Sequence, residues 1–599
     1  MRRLLSKAIW TPARAVVGRF REDRAVALIA LAFVATQLVA VGWDVPGSHG
    51  WENDGVAPRD LFGGLAENLT PGHAHRYPLL HYLVLAIPCL PILLAATIAG
   101  PLTAEAVRAR VLSVACMSGI SVVARLVAIA MAALALVTLA RIVRRTCGTR
   151  AARFTALFAA TNLTFAFYGR VSNLDVPYLT WTVLALDKLL DVADTGEKRR
   201  YFEFAALAAA AVATKDQAYA SFVLVAPLYF VILPLARRTT FAPGHFALLA
   251  KAAGVSLLTY GALSGALFNP TGFLARLAEL TGSASQDWRL YSRDAAGLTR
   301  NLSDVLAAQA RYFWPLPLTL LAWGGALAAP WVRSGDTERK LSAPVFRALP
   351  LVAGVSSLVF FSLAVARYEH RFLLPLGFFL SAGGGVALQL LLRALPGRSA
   401  RPLATLYGVL FGWALCASFS VTLTQLGDAR RRVREFLAEL PRGSRVETYG
   451  GLVYLPHFDV SETSPYRVER VGPEPPRRRN PLVGATERQG KIEAALERRP
   501  DAIVISEGFA NSYLDAAPAG GAVRSAVSQR RFDNAALRTF VRDAVRDRLP
   551  GYRLALVAEP WFPEPARKLG FAPVRIQSTT GIQLWVLVRD ERRAAAFSD

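Results

Sequence analysis

The stretch SVVARLVAIAMAALALVTLARIVRRTCGTRAAR, residues 121–153, decides the fold class. Positions 121–140 are almost wholly apolar. As a helix rising about 1.5 Å per residue, such a run is about 30 Å long, the thickness of a bilayer's hydrocarbon core, so it reads as a membrane span. Arg141, Arg144, Arg145, Arg150 and Arg153 follow directly. A basic cluster at the end of a span marks the cytoplasmic side.

Ten further runs read the same way: 25–43, 154–168, 177–193, 203–214, 218–236, 246–268, 312–332, 348–366, 373–392 and 403–423. The 203–214 run is short and borrows Lys215 and its neighbours to cross. Basic residues recur after every second run. They are Lys198, Arg199 and Arg200, then Arg237 and Arg238, then Arg333, Arg339, Lys340 and Arg347, and finally Arg393, Arg398 and Arg401. That alternation fits one orientation, with residues 1–24 cytoplasmic and loops 44–120, 169–176, 215–217, 269–311 and 367–372 outside. The 25–43 run is longer than a signal-peptide core and no A-x-A-like site closes it, so it reads as an uncleaved anchor.

Residues 78–99, PLLHYLVLAIPCLPILLAATIA, are also apolar enough to span. A single crossing there would force the Arg141–Arg153 cluster outside. Pro88 and Pro91 interrupt the run and remove backbone donors, so it is expected to be a broken, re-entrant or interfacial element.

After residue 424 the pattern changes. Amphipathic stretches 428–440, 487–499 and 533–549 alternate with the strand-like runs RVETYG, DAIVISE, YRLALVAEP and IQLWVLV. Residues 470–485, rich in Pro and Arg, read as a flexible loop. The expected architecture is a polytopic α-helical membrane protein with about 11 spans (25–424) and a C-terminal α/β domain (425–599), extracytoplasmic after an odd number of crossings.

Composition agrees with this reading. The chain is 53% hydrophobic over 599 residues, too apolar for a soluble enzyme of that length. The net charge of +25 lies largely in short clusters between apolar runs, where it sets topology, so no nucleic-acid partner is expected. Cys89, Cys116, Cys147 and Cys416 form no CxxC pair, which excludes a disulfide framework and a cysteine metal site; no cofactor is expected.

The loops assigned to the outside collect the unusual polar residues. The first holds Asp44, HGWENDGVAPRD (49–60) and GHAHRYPLLHY (72–82); the second is GRVSNLDVPY (169–178); the third is TKDQAY (214–219); the fifth is ARYEHRFLLP (366–375). Acids and bases at several membrane edges on one face can converge on a single pocket. Each also has a plainer role. Asp175, two residues before Pro177, suits a helix N-cap. Arg170 and Lys215 suit snorkelling side chains, and Arg367, Glu369, His370 and Arg371 suit an interfacial anchor.

In their order, these motifs resemble the glycosyltransferase C superfamily, and within it the protein O-mannosyltransferases and the lipid A aminoarabinose transferases. WENDGVAPRDLFGGLAENLTPG with RYPLLHYL is similar to the family's acidic first loop, RVSNLDVPYLTW to its second-loop aspartate motif, and YEHRFLLP to its late Arg-Tyr-Leu-Leu-Pro motif. The family's acidic pair is usually adjacent, whereas Glu52 and Asp54 here flank Asn53, which leaves open which carboxylate corresponds to the base.

The resemblance implies a sugar donor on polyprenyl phosphate, an acceptor hydroxyl on a glycan, lipid or protein, and residence in a bacterial inner membrane. A phosphate leaves readily, so one carboxylate acting as general base suffices, and direct displacement inverts the anomeric centre. The implied roles are Asp54 or Glu52 as base, with Asp175 either holding Arg170 or sharing in acceptor positioning. Arg170, Lys215, Arg367, His370, Arg371 and Arg76 are candidates for the donor phosphate, with His75 behind them. The competing readings are a transporter or flippase of lipid-linked sugars and a ligase using a diphosphate-linked donor. Transporters place key charges near the midplane, whereas these lie at membrane edges.

Overall fold

The computed structural model describes residues 23–591 apart from 74, 237–243, 283–285, 333–340, 342, 395–399, 460, 462, 473–485, 515–524, 526–528, 530 and 532. The basic residues Arg237, Arg238, Arg333, Arg339, Lys340 and Arg398, most of residues 1–24 and the 473–485 part of the expected loop lie outside the described residues.

Every apolar run is helical. Helix α1 (Arg24–Leu38) starts at Asp23, whose carboxylate accepts the amides of Ala25 and Val26. The first long loop carries α2 (Arg59–Leu69), α3 (Leu80–Ile98) and α4 (Ala104–Val111). Then come α5 (Val114–Cys147), α6 (Thr149–Thr161), α7 (Leu163–Tyr168), α8 (Asp175–Thr195) and α9 (Lys198–Val212). The 154–168 run is therefore two helices, parted at Asn162, whose side chain accepts the Phe165 amide at 2.9 Å. The next span, Asp216–Leu235, opens with a 3-10 turn at Asp216–Ser221 and contains a π turn at Leu228–Ile232. It is followed by α10 (His245–Leu263), α11 (Pro270–Thr281), α12 (Ala295–Tyr312), α13 (Leu316–Ala328), α14 (Leu349–Ser357), α15 (Leu374–Ala394) and α16 (Ala400–Leu426).

Among the described residues, six helices are long and apolar enough to cross a membrane, α3, α5, α10 and α15 among them. The chain is a multi-pass membrane protein. Helix α15 is central, and its buried face runs nearly its full length. It approaches α13 and α6 through glycines: Gly383 faces the Ala322 carbonyl and Ala326, Gly384 faces Phe158, and Gly385 faces Thr155, with no room for a Cβ at any of them.

Helix α5 fixes the two ends of the bundle. Arg125 is fully buried and paired with carboxylates of the first loop. Arg145, one membrane thickness further along at about 30 Å, bonds Asp191 at 2.8 Å and Asp187 at 3.4 Å. Both charges are neutralised inside protein, as a charge at that depth requires.

Of the broken, re-entrant or interfacial forms expected for 78–99, the structure removes the break: the segment is one continuous helix. Helix α3 runs from Leu80 to Ile98 with Pro88 and Pro91 inside it. Each proline removes one ladder bond, to Val84 and to Ile87, without ending the helix. Its buried Tyr82, Leu85 and Cys89 share a core with Cys116, Met117, Ile120 and Ala124, the part of α5 that lies N-terminal to Arg125.

The C-terminal region is the expected α/β unit. After α17 (Ala429–Ala438), strands β1 (Ser444–Tyr449), β2 (Tyr466–Gly472), β3 (Thr486–Gln489), β4 (Ala502–Ser506), β5 (Tyr552–Ala558) and β6 (Leu584–Arg589) form one sheet in the order β3-β2-β1-β4-β6-β5. The first four neighbours are parallel, and β6 runs antiparallel to both β4 and β5. One face packs on α17 through Val433 and Leu437, the other on helices Glu507–Leu514 and Ala535–Val545. Two expectations fail here. The start of the supposed 470–485 loop is the end of β2, and 487–499 holds the end of β3 and a four-residue helix, Ala495–Arg498, in place of a long amphipathic one.

Candidate active site

Four loops meet at the Arg125 end of the bundle. Their centre is Asp54, set in the turn that follows Glu52. Asp54 takes a left-handed backbone conformation, φ +58°, which a non-glycine residue adopts only when its surroundings hold it there. Its carboxylate pairs with Arg76 from the same loop and with Arg371 from the YEHRFLLP segment. Burial alone would push this carboxyl up, but the charges of Arg371 and Arg76 prevail and hold it well below the usual carboxylate range. Arg371 also reaches Glu369, at 2.5 Å, and Glu369 pairs in turn with Arg367.

Asp175 comes from the first turn of α8 and is fully buried. The plainer reading, a cap on that helix, is not what it does. Asn173 accepts the Asp175 amide at 2.8 Å, while the Asp175 carboxylate takes Lys215 Nζ at 2.7 Å and Gln217 Nε2 at 2.8 Å from the third loop. Lys215 lies close enough to Asp54 and Arg371 for their charges to act on one another. Tyr77, Tyr168 and Tyr178 are near enough to Arg371 for its charge to act on them. Asp54, Arg76, Asp175, Lys215 and Arg371 are thus brought together from separate parts of the chain.

Glu52 is placed differently. It is 3% exposed, and its Oε1 accepts both Nε (2.8 Å) and Nη2 (2.7 Å) of Arg125, which also holds Asp44 at 2.7 Å. The Ser172 amide reaches the same oxygen at 3.3 Å. Burial raises the Glu52 carboxyl above its ordinary value, opposed by Arg125. Two carboxylates on one buried guanidinium tie the first loop to α5, a structural joint next to the Asp54 cluster.

Three other candidates stand apart from Asp54. Arg170 is buried and donates to the Ala166 carbonyl at 3.2 Å and to the Thr422 hydroxyl, which locks α7 to α16; Asp175, taken up by Lys215 and Gln217, does not hold it. His370 packs on Tyr312, with ring centroids 3.7 Å apart, and its Nδ1 lies 2.8 Å from the Ile576 carbonyl of the C-terminal domain. The His75 ring faces Phe273, and burial pushes it down to about 4.

Three residues that the loop motifs did not single out hold the cluster in place. Arg125 sits inside the apolar run 121–140, where any charge is a signal in itself. Arg276 of α11 donates to the carbonyls of His75 (3.1 Å) and Arg76 and pairs with Asp216, fixing the backbone that carries the Arg76 side chain. Gln577 enters from the C-terminal domain and bonds Asn53. Only Arg125 had a local sequence signal; the other two are made by long-range contacts.

A family model for dolichyl-phosphate-mannose-protein mannosyltransferase matches residues 109–259. The resemblance to glycosyltransferases of the C superfamily, seen in the loop motifs, is thus found independently over helices α5 to α10. Among solved structures, ArnT from Cupriavidus metallidurans bound to undecaprenyl phosphate is similar over 80% of this chain and 93% of its own, at 16% identity and a TM-score of 0.44. An Archaeoglobus fulgidus oligosaccharyltransferase tethered with an acceptor peptide is similar over 94% of this chain and 88% of its own, at 10% identity and a TM-score of 0.41. No curated protein sequence matches the chain.

Proposed function

We propose that this protein transfers a sugar from a polyprenyl-phosphate donor to an acceptor hydroxyl, with inversion, at the extracytoplasmic face of an inner membrane. The observation that carries the reading is the pairing of Asp54 with both Arg76 and Arg371, with Lys215 close by. The family match over 109–259, whose name specifies a dolichyl-phosphate-linked mannose donor, supports the same donor class.

A carboxylate clamped by two guanidiniums is a weak base, because its proton affinity is suppressed. A phosphate entering between Arg76 and Arg371 changes this. It competes for both guanidiniums with charge-assisted, bidentate geometry, and Asp54 loses part of its neutralising charge. Donor binding therefore raises the basicity of Asp54 at the moment an acceptor hydroxyl is present. Asp54 then takes the hydroxyl proton as the acceptor oxygen attacks the anomeric carbon and the phosphate leaves. Arg76, Arg371 and Lys215 stabilise the charge growing on the phosphate. Asp175 holds Lys215 at the site, and Glu52 anchors the loop.

The test is incubation of the purified protein in nanodiscs with radiolabelled polyprenyl-phosphate sugars and a membrane-envelope extract as acceptor. Label transferred to acceptor, and abolished in Asp54→Asn, supports the reading. In sealed proteoliposomes, labelled lipid that crosses the bilayer intact, with no transfer, supports transport instead.

A further inference from the structure

The C-terminal domain is more than an appendage, because one of its loops reaches the candidate active site. Residues 574–580 pack onto the bundle, and Ile576 joins the same buried core as α5, α8 and α15. From there Gln577, 8% exposed, makes two bonds with the backbone of Asn53: its Oε1 accepts the Asn53 amide at 3.2 Å and its Nε2 donates to the Asn53 carbonyl at 3.4 Å. The amide side chain pairs with Asn53 as a neighbouring strand would. Its own loop holds it in turn, through Thr579 Oγ1 at 3.3 Å from Oε1 and Thr580 Oγ1 at 3.2 Å from the Gln577 amide.

Asn53 is the residue immediately before Asp54, and its carbonyl takes a second bond, from Asn173 Nδ2 at 3.2 Å. The Asn53 amide has Gln577 as its side-chain acceptor. A left-handed residue has little intrinsic preference to stay so, and its carboxylate direction depends on how firmly the preceding peptide is held.

We propose that Gln577 is a positioning residue: the C-terminal domain sets the direction of the Asp54 carboxylate through the Asn53 backbone. The inference rests on the reading of Asp54 as the base, and it makes the two domains one functional unit. Gln577→Glu keeps the acceptor for the Asn53 amide but loses the donor to its carbonyl. Gln577→Asn is too short by one methylene to make either bond.

The experiment uses the full-length chain in nanodiscs and two readouts. In hydrogen-exchange mass spectrometry, peptides covering 50–57 in Gln577→Ala and Gln577→Asn should exchange about five- to tenfold faster, the worth of one lost hydrogen bond, with α5 and β4 peptides unchanged. In sugar transfer from radiolabelled polyprenyl-phosphate mannose, kcat should fall about 10- to 100-fold while KM for the lipid stays within about twofold, as for a reacting group displaced slightly from its line. Gln577→Glu should recover part of the loss. Unchanged exchange at 50–57 overturns the inference whatever the activity. So does faster exchange with undiminished kcat. Faster exchange in a protein whose wild type transfers no sugar from any polyprenyl-phosphate donor leaves the positioning contact standing and overturns the proposed function instead.

Discussion

Arg371 and Asp54 lie 317 residues apart in the chain and form a direct ion pair at the centre of the site. The pair joins the first loop to the segment leading into α15.

Removing the base has a distinct signature. Asp54→Asn should lower turnover by about 10²–10⁴, the usual worth of a positioned general base, in a transfer assay with donor in excess. Glu52→Gln should act on stability instead, because it weakens the joint with Arg125. Its melting temperature should drop while the kcat of the folded fraction stays within a few-fold. The opposite pattern would move the base two residues upstream.

Arg125 allows that joint to be tested alone. Arg125→Met leaves Asp44 and Glu52 buried without their cation and should cost about 3–5 kcal/mol, read as a loss of folded protein on heating. Adding Asp44→Asn and Glu52→Gln to Arg125→Met should recover much of that loss, since no uncompensated charge is then buried.

The acid behaviour follows from the lowered pKa of Asp54. A carboxyl depressed in the folded state stabilises above its unfolded pKa, about 3.9, and that contribution is lost as pH falls from there through the folded value. The gap in melting temperature between wild type and Asp54→Asn should therefore be constant from pH 8 to about pH 5 and close below about pH 4. A gap that closes between pH 7 and 5 would mean that the two arginines do not hold Asp54 in solution.

Much of this was readable in the sequence, and the parts that were not share a cause. The apolar runs follow from local composition, and all eleven are helical; helix α17 and strands β1, β4, β5 and β6 also lie where the sequence pattern puts them. The loop acids and bases were legible because residues of both signs recur in several loops assigned to one face of the membrane. The break expected as one form of the 78–99 element is absent from α3, because nineteen residues of apolar helix outweigh two interior prolines. The short strands β2 and β3 carry too many charges to look buried, as RVER and TERQ show. Separating Glu52 from Asp54 needed Arg125, 73 residues away, and finding Gln577 needed a contact across 524 positions. Neither pairing leaves a mark in any local window.

Orientation can be checked apart from chemistry. Lys568 is exposed on the C-terminal domain. A Lys568→Cys variant, in a background with Cys416 replaced by Ser, should react with an impermeant thiol reagent in intact spheroplasts. Reaction only after the membrane is broken would place the domain and the Asp54 site in the cytoplasm.

The central claim is that a lipid phosphate takes the guanidiniums now held by Asp54, and binding of unsugared polyprenyl phosphate to the purified protein tests it most directly. Wild type should bind. Arg371→Ala should bind at least about tenfold more weakly, with Arg371→Lys between the two, because a bidentate charge-assisted contact is lost. Asp54→Asn should bind as tightly or more tightly, since the competing carboxylate is gone. Equal binding by wild type and Arg371→Ala, or binding that collapses in Asp54→Asn, would contradict the account.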